Sequence, residues 1–179
     1  MFQISRTTPA YYLTSVAHHR LPIFRSDKVK RVVCNAFDEV RTTHGIHILA
    51  YVIMGDHVHL LVYSEKEMSE CLRLLNGVSA RRIIQYLSEN GFESSLLKLR
   101  GETRNRNHRH SVWQHHADSP EIFGENTFRQ KVRYIHENPI RAGMVENPVD
   151  YQFSSAMQWA NRTREDEPLI TDHREINWR

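Results

Sequence analysis

Residues Met54-Gly55-Asp56-His57-Val58-His59-Leu60-Leu61-Val62-Tyr63 set two histidines one apolar residue apart at the head of a hydrophobic run. Side chains alternate faces along a strand, so His57 and His59 share one side of a sheet and Val58 enters the other. Such a pair either serves the sheet's own packing or grips a metal ion. Two imidazoles are too few for a closed structural site. A metal there needs at least one more ligand and keeps a position open for substrate. Imidazole donors favour zinc or manganese, whereas a phosphate substrate and an amide or water ligand shift the preference toward hard octahedral ions.

The second chemical segment is Lys131-Val132-Arg133-Tyr134-Ile135-His136-Glu137-Asn138-Pro139. On a helix, Tyr134 and Asn138 lie one turn apart on a shared face. Tyr134 is either a core or interface side chain or a nucleophile. Phenols ionise near pH 10, but a metal that polarises a phosphoryl group lowers the barrier from the other side. Asn138 then supplies a metal ligand or a hydrogen bond to phosphate. His136 and Glu137 fall off that face and read as a solvated helix end, with acid/base or water-positioning work as the alternative. Two imidazoles, a tyrosine and an amide one turn on are the parts needed to cut and hold a nucleic acid phosphodiester.

These parts need a scaffold. Tyr11 to His18 reads as a first strand, with Pro22 in the loop beyond. Ser26 is placed to cap a helix from Asp27 to about Thr43, whose apolar residues recur at three and four. Gly45 ends it. Ile46 to Met54 and His57 to Tyr63 are strands joined at Gly55-Asp56, a tight antiparallel hairpin. A long helix follows from about Met68 to Glu89, closed by Gly91. This β-α-β-β-α order predicts an α/β (α+β) chain: a ferredoxin-like split βαβ antiparallel sheet with helices on one face. A fourth strand is expected at Ser94 to Leu99 or at Ser111 to Gln114. The stretch between, Arg100 to His110, reads as an exposed basic loop, either solvated or in contact with nucleic acid. The chain turns helical again from Pro120. Thr127 caps a helix to about Glu137, and Pro139 stops it. A short helix around Ser154 to Ala160 follows, and residues 162–167 read as charged and loose.

The chain has 179 residues, 40% hydrophobic and 25% charged, as expected of one globular unit over 1–160 with a charged tail over 161–179. A formal net charge of +3 fits a polyanion partner without demanding one. The two cysteines, Cys34 and Cys71, have no metal-type spacing and read as reduced, buried thiols of a cytoplasmic protein. Neither a signal peptide nor a membrane span is apparent.

His57-Val58-His59-Leu60-Leu61-Val62, taken with Tyr134 to Val145, resembles the single-tyrosine HUH transposases, and within them the REP-associated tyrosine transposases. Val112-Trp113-Gln114 and Tyr151 to Ala156 are similar to segments flanking the tyrosine helix in that branch. Gly55-Asp56 departs from the Pro-Asn common there. The resemblance implies an RRM-like fold with a C-terminal catalytic helix, and the activity of a metal-dependent single-stranded DNA endonuclease and strand transferase. His57 and His59 would bind Mg²⁺ or Mn²⁺, with Asn138 as third ligand. Tyr134 would attack a phosphate beside a palindromic hairpin, leaving a 5′-phosphotyrosine and a free 3′-hydroxyl. Members act as monomers or homodimers. Single strands bind basic grooves with stacking platforms. Arg81, Arg82, Lys98, Arg100, Arg104, Arg106 and Arg109 are the phosphate-binding candidates. Trp113 is a base platform or a core side chain, and Arg141 a phosphate clamp or an ordinary surface residue. A domesticated, non-catalytic hairpin binder is the alternative. An RRM-like RNA binder is disfavoured, because histidines occupy the sheet positions that need aromatics.

Overall fold

The computed structural model describes residues 1–100, 110–114 and 120–177. Its strands are β1 (Phe2–Gln3), β2 (Ala10–Val16), β3 (His47–Ile53), β4 (His57–Tyr63), β5 (Glu121–Ile122) and β6 (Ile176–Asn177). Its α-helices are α1 (Asp27–His44), α2 (Met68–Glu89), α3 (Glu93–Lys98), α4 (Glu125–Arg141) and α5 (Ala156–Trp159). β3, β4, β2 and β5 form one sheet in that order, antiparallel throughout. β1 and β6 pair in parallel as a separate ribbon that joins the two ends of the chain.

β4 lies inside the sheet, flanked by β2 and β3, so both of its edges are hydrogen-bonded. The register sets Thr14 opposite His59 and Ser15 opposite Val58. Ser15 donates to Asn76 of α2 at 2.7 Å, which assigns Leu13, Ser15, Val58, Leu60 and Val62 to the side of α1 and α2. Those helices turn Val33, Cys34, Phe37 and Val40, and Cys71, Leu75, Ile83 and Leu87, into the same core. Helix α4 crosses the opposite face, above β3 and β4. The expected pair of helices on one face is therefore present, with the tyrosine helix on the other.

Several expectations hold locally. α1 begins one residue after Ser26, although the serine hydroxyl makes no capping bond. It ends at Gly45, whose φ of +64° puts it in the left-handed region that glycine tolerates. Others do not hold. The fourth strand is neither candidate. Ser94 to Lys98 falls in α3, and Trp113 makes only an isolated bridge to Ala17. The strand is instead the two-residue β5, beyond Pro120, where helix was expected. Two residues carry no periodicity of their own, and β5 exists because Ala10 and Tyr11 offer it an open edge.

The tyrosine helix starts at Glu125, with Gly124 rather than Thr127 at the cap, and runs through Pro139 to Arg141. A proline within a helix leaves the carbonyl four residues earlier without its donor. The Asn138 side-chain amide reaches that Ile135 carbonyl at 3.5 Å while donating to the Tyr134 carbonyl at 2.7 Å. Finally, residues 162–167 are tied down. Asp166 accepts from Arg31 and Gln152, and Arg164 bonds the Val149 carbonyl. Beyond them Leu169 and Thr171 are buried, with Thr171 bonded to Gln158. Apolar and paired groups just past the charged run anchor it.

Candidate active site between sheet and tyrosine helix

Alternation along β4 delivers His57 and His59 to the α4 side, with ring centroids 5.0 Å apart. Each ring is held at Nδ1. His57 Nδ1 lies 2.6 Å from an Asp56 carboxylate oxygen. His59 Nδ1 lies 2.9 Å from both the Tyr12 and Thr14 hydroxyls, the two β2 residues that share its face. Where Nδ1 carries the proton, Nε2 of each ring keeps its lone pair for a ligand, the arrangement found at metal-binding imidazoles.

The electrostatics agree. Burial lowers the His59 pKa to about 3, and the electrostatic influence of the neighbouring His57 and Lys131 works in the same direction. His59 is therefore neutral, as a metal ligand must be. Burial also pushes the Tyr12 phenol up to about 12, so it stays a neutral hydroxyl. For Asp56, burial works to raise the pKa, but contacts with His57 and Arg20 outweigh it and hold the carboxyl below its usual range.

Tyr134 comes to the same place. Its ring centroid lies 5.6 Å from that of His59 and 6.2 Å from that of Tyr12, edge-on to both. It is 40% exposed, so the phenol is beside the imidazoles and open to solvent at once. A single chain supplies the whole grouping. Two cations flank the tyrosine along α4. The Arg141 guanidinium sits 4.7 Å over the Tyr134 ring and also pairs with Glu137 at 2.6 Å. Lys131 Nζ lies 4.5 Å from the Tyr12 ring and 5.9 Å from the Tyr134 ring. Lys131, Tyr134, Asn138 and Arg141 follow at i, i+3, i+7 and i+10, one stripe of the helix. The stripe rims the site with positive charge around a phenol, as a phosphate requires.

The donors present fit a divalent cation in part. Among the described residues no group of three His, Cys, Asp or Glu side chains could hold a metal. His57 and His59 supply two nitrogens, and a third ligand drawn from the described residues would be an amide or hydroxyl. Asn138 is on the correct face, with its amide nitrogen turned to its own helix. Two imidazoles and an amide leave room for phosphate oxygens or water, which suits an open, octahedral ion.

The other sequence candidates disperse. His136 is buried and bonds Ser155 Oγ at 2.8 Å, so it is no solvated helix end; burial lowers its pKa to about 4. Arg81 and Arg82 lie on α2, paired with Glu39 of α1, on the opposite side of the sheet. Trp113 takes the core role, donating from Nε1 to Ser79 and packing on Phe24. Lys98 and Arg100 are exposed near the end of α3. Arg104, Arg106 and Arg109 lie outside the described residues. Sequence reading missed Tyr12, Thr14, Asp56 and Lys131. Lys131 was reachable as the residue one turn before Tyr134. Tyr12 and Thr14 were not, because only the β2–β4 register sets them against His59.

The family model described as "Transposase IS200 like" matches residues 6–138. No curated protein matches the chain. Among solved structures, a REP-associated tyrosine transposase bound to a REP hairpin superposes with a TM-score of 0.62 at 15% identity, covering 97% of this chain and 91% of that one. A putative transposase from Deinococcus radiodurans R1 matches at 22% identity with a TM-score of 0.49, over 73% of this chain and 90% of that one.

Proposed function

The chain belongs to the IS200-like transposase family, and from that premise we propose that it cuts and rejoins single-stranded DNA through Tyr134. The observation that carries this reading is the Tyr134 ring edge-on to His59, 5.6 Å away and half open to solvent. A tyrosine needed only for packing has no reason to sit exposed between two cations and a pair of oriented imidazoles.

In this reading the Tyr134 phenolic oxygen attacks a backbone phosphorus. The new P–O bond is to the tyrosine, and the bond to the 3′-oxygen breaks. The phenol proton passes to solvent, and the departing 3′-oxygen takes one up. The product is a 5′-phosphotyrosine with a free 3′-hydroxyl, and attack by another 3′-hydroxyl reverses the step without ATP. His57, His59 and Asn138 would hold Mg²⁺ or Mn²⁺. An ion held by these residues would supply polarisation of the phosphoryl oxygens and neutralisation of developing charge. Lys131 and Arg141 draw the phosphate to the phenol from either side, and Tyr12 and Thr14 keep the His59 ring in place. The substrate is proposed to be DNA beside a hairpin, in the manner of the REP-associated tyrosine transposase that shares this fold and is bound to a REP hairpin.

Incubation with labelled single-stranded hairpins from DNA flanking the gene tests this. Wild-type protein with Mg²⁺ or Mn²⁺ should give an adduct that survives denaturing electrophoresis. Tyr134→Phe should give none while retaining hairpin binding. An adduct of equal yield in Tyr134→Phe overturns the assignment.

A further inference from the structure

The imidazole pair is not held symmetrically. His59 leans on two neutral hydroxyls, whereas His57 meets a carboxylate that is itself gripped. Asp56 places one oxygen 2.6 Å from His57 Nδ1 and the other 3.1 Å from an Arg20 guanidinium nitrogen. Arg20 reaches it from the turn that leaves β2, where His19 and Arg20 have φ of +51° and +52°. Two successive non-glycine residues in the left-handed region are uncommon and persist only where the surroundings hold them. Here the backbone supplies the hold. Ala17 N–H donates to the Asp56 carbonyl at 2.7 Å, and His18 N–H to the Val112 carbonyl at 2.8 Å.

We infer that Asp56, braced by Arg20, is a positioning residue that fixes His57 with its proton on Nδ1 and its Nε2 lone pair directed to the phosphate-cutting centre. This rests on the metal-assisted reading given above. The chemistry follows from the partners. A carboxylate has no proton to give, so the hydrogen bond to it must come from Nδ1–H, and only Nε2 remains as a ligand nitrogen. Arg20 occupies the second carboxylate oxygen and stops Asp56 from rotating away. It is also mostly exposed, so it adds positive charge to the same end of the sheet. His59 cannot be set this way, because a hydroxyl both donates and accepts and so leaves the ring tautomer open.

The test uses the intact chain and the variants Asp56→Ala, Asp56→Asn, Arg20→Ala and His57→Ala. The Asp56 backbone bond to Ala17 does not involve the side chain, so all should melt close to wild type. Long-range nitrogen–proton correlation spectra of metal-free protein report which His57 nitrogen bears hydrogen. Wild type should show Nδ1–H. Asp56→Ala should shift His57 toward Nε2–H, and Asp56→Asn, whose amide oxygen still accepts, should restore the wild-type tautomer. Mn²⁺ titration followed by electron spin resonance should show roughly 10–100-fold weaker binding in Asp56→Ala. Asp56→Asn should fall between it and wild type, with a smaller loss in Arg20→Ala. An unchanged tautomer in Asp56→Ala, or unchanged Mn²⁺ affinity beside a weakened His57→Ala, overturns the inference and leaves the metal reading standing. A His57→Ala variant that binds Mn²⁺ as wild type does removes the metal reading, and the positioning role with it.

Discussion

The two faces of the central sheet share strands but not tasks. Toward α1 and α2, β4 presents Val58, Leu60 and Val62, all buried against aliphatic and aromatic neighbours. Toward α4 it presents His57 and His59, with Tyr12 and Thr14 beside them from β2 and a half-open tyrosine above. The first face is dry but for the hydrogen bond from Ser15 to Asn76. The second is polar, and among the described residues its imidazoles are each bonded at Nδ1. A strand that alternates strictly can place both on consecutive residues, and a slip of one residue in register would exchange them. The hydrophobic face thus fixes the register on which the chemistry depends.

The largest effect should come from breaking the dry face. Leu60→Ala removes a nearly fully buried side chain, and should cost about 2–5 kcal/mol in chemical denaturation while the remaining folded protein still forms the DNA adduct. His57→Ala should do the reverse. Its ring is partly exposed, with Asp56 as its hydrogen-bond partner, so stability should move by less than about 1 kcal/mol while cleavage is lost. Equal effects of the two variants on both measurements would mean that the faces are not separable.

Acid should sharpen the same contrast at the next scale. His136 and His59 have pKa values of about 4 and about 3, below the ordinary 6.5, so the unfolded chain binds protons that the folded one excludes. Stability is complete above about pH 6.5 and declines as pH falls toward 4, by at most about 1.4 kcal/mol per pH unit for each group. His136→Gln keeps a hydrogen bond to Ser155 without titrating, and should flatten that slope by one proton. An unchanged slope would remove His136 from the account.

The smallest effect expected is on DNA affinity. Lys131→Gln or Arg141→Gln should weaken hairpin binding several-fold at low salt, and reduce the slope of log affinity against log salt by about 1 each. Neutralising Arg81, which pairs with Glu39 across the helical face, should leave that slope alone. Indistinguishable slopes for the two sets would argue that DNA does not approach from the α4 side.

Much of this was legible in the residues themselves. The periodicity of α1 and α2, the alternation of β3 and β4 and the spacing of Tyr134 and Asn138 are strong because each is a property of one segment. What was hidden depends on pairs of segments. β5 is a strand only because β2 has a free edge. Tyr12 and Thr14 matter only through their register with His59. Pro139 lies inside α4, with the Asn138 amide 3.5 Å from the Ile135 carbonyl that the proline leaves without its donor, a neighbourhood that a rule about single residues cannot foresee. His136 looked polar and terminal, yet α4 turns it inward onto Ser155.

The central claim is that the exposed phenol beside the imidazole pair becomes joined to DNA. Protease digestion of the purified covalent complex, followed by mass spectrometry of the nucleotide-bearing peptide, tests it most directly among the seven tyrosines of the chain. The account predicts the nucleotide on Tyr134 alone, through a phosphodiester to the 5′ side of the cut. A nucleotide carried by Tyr12 or any other residue, or a cut strand with no protein attached, would contradict it.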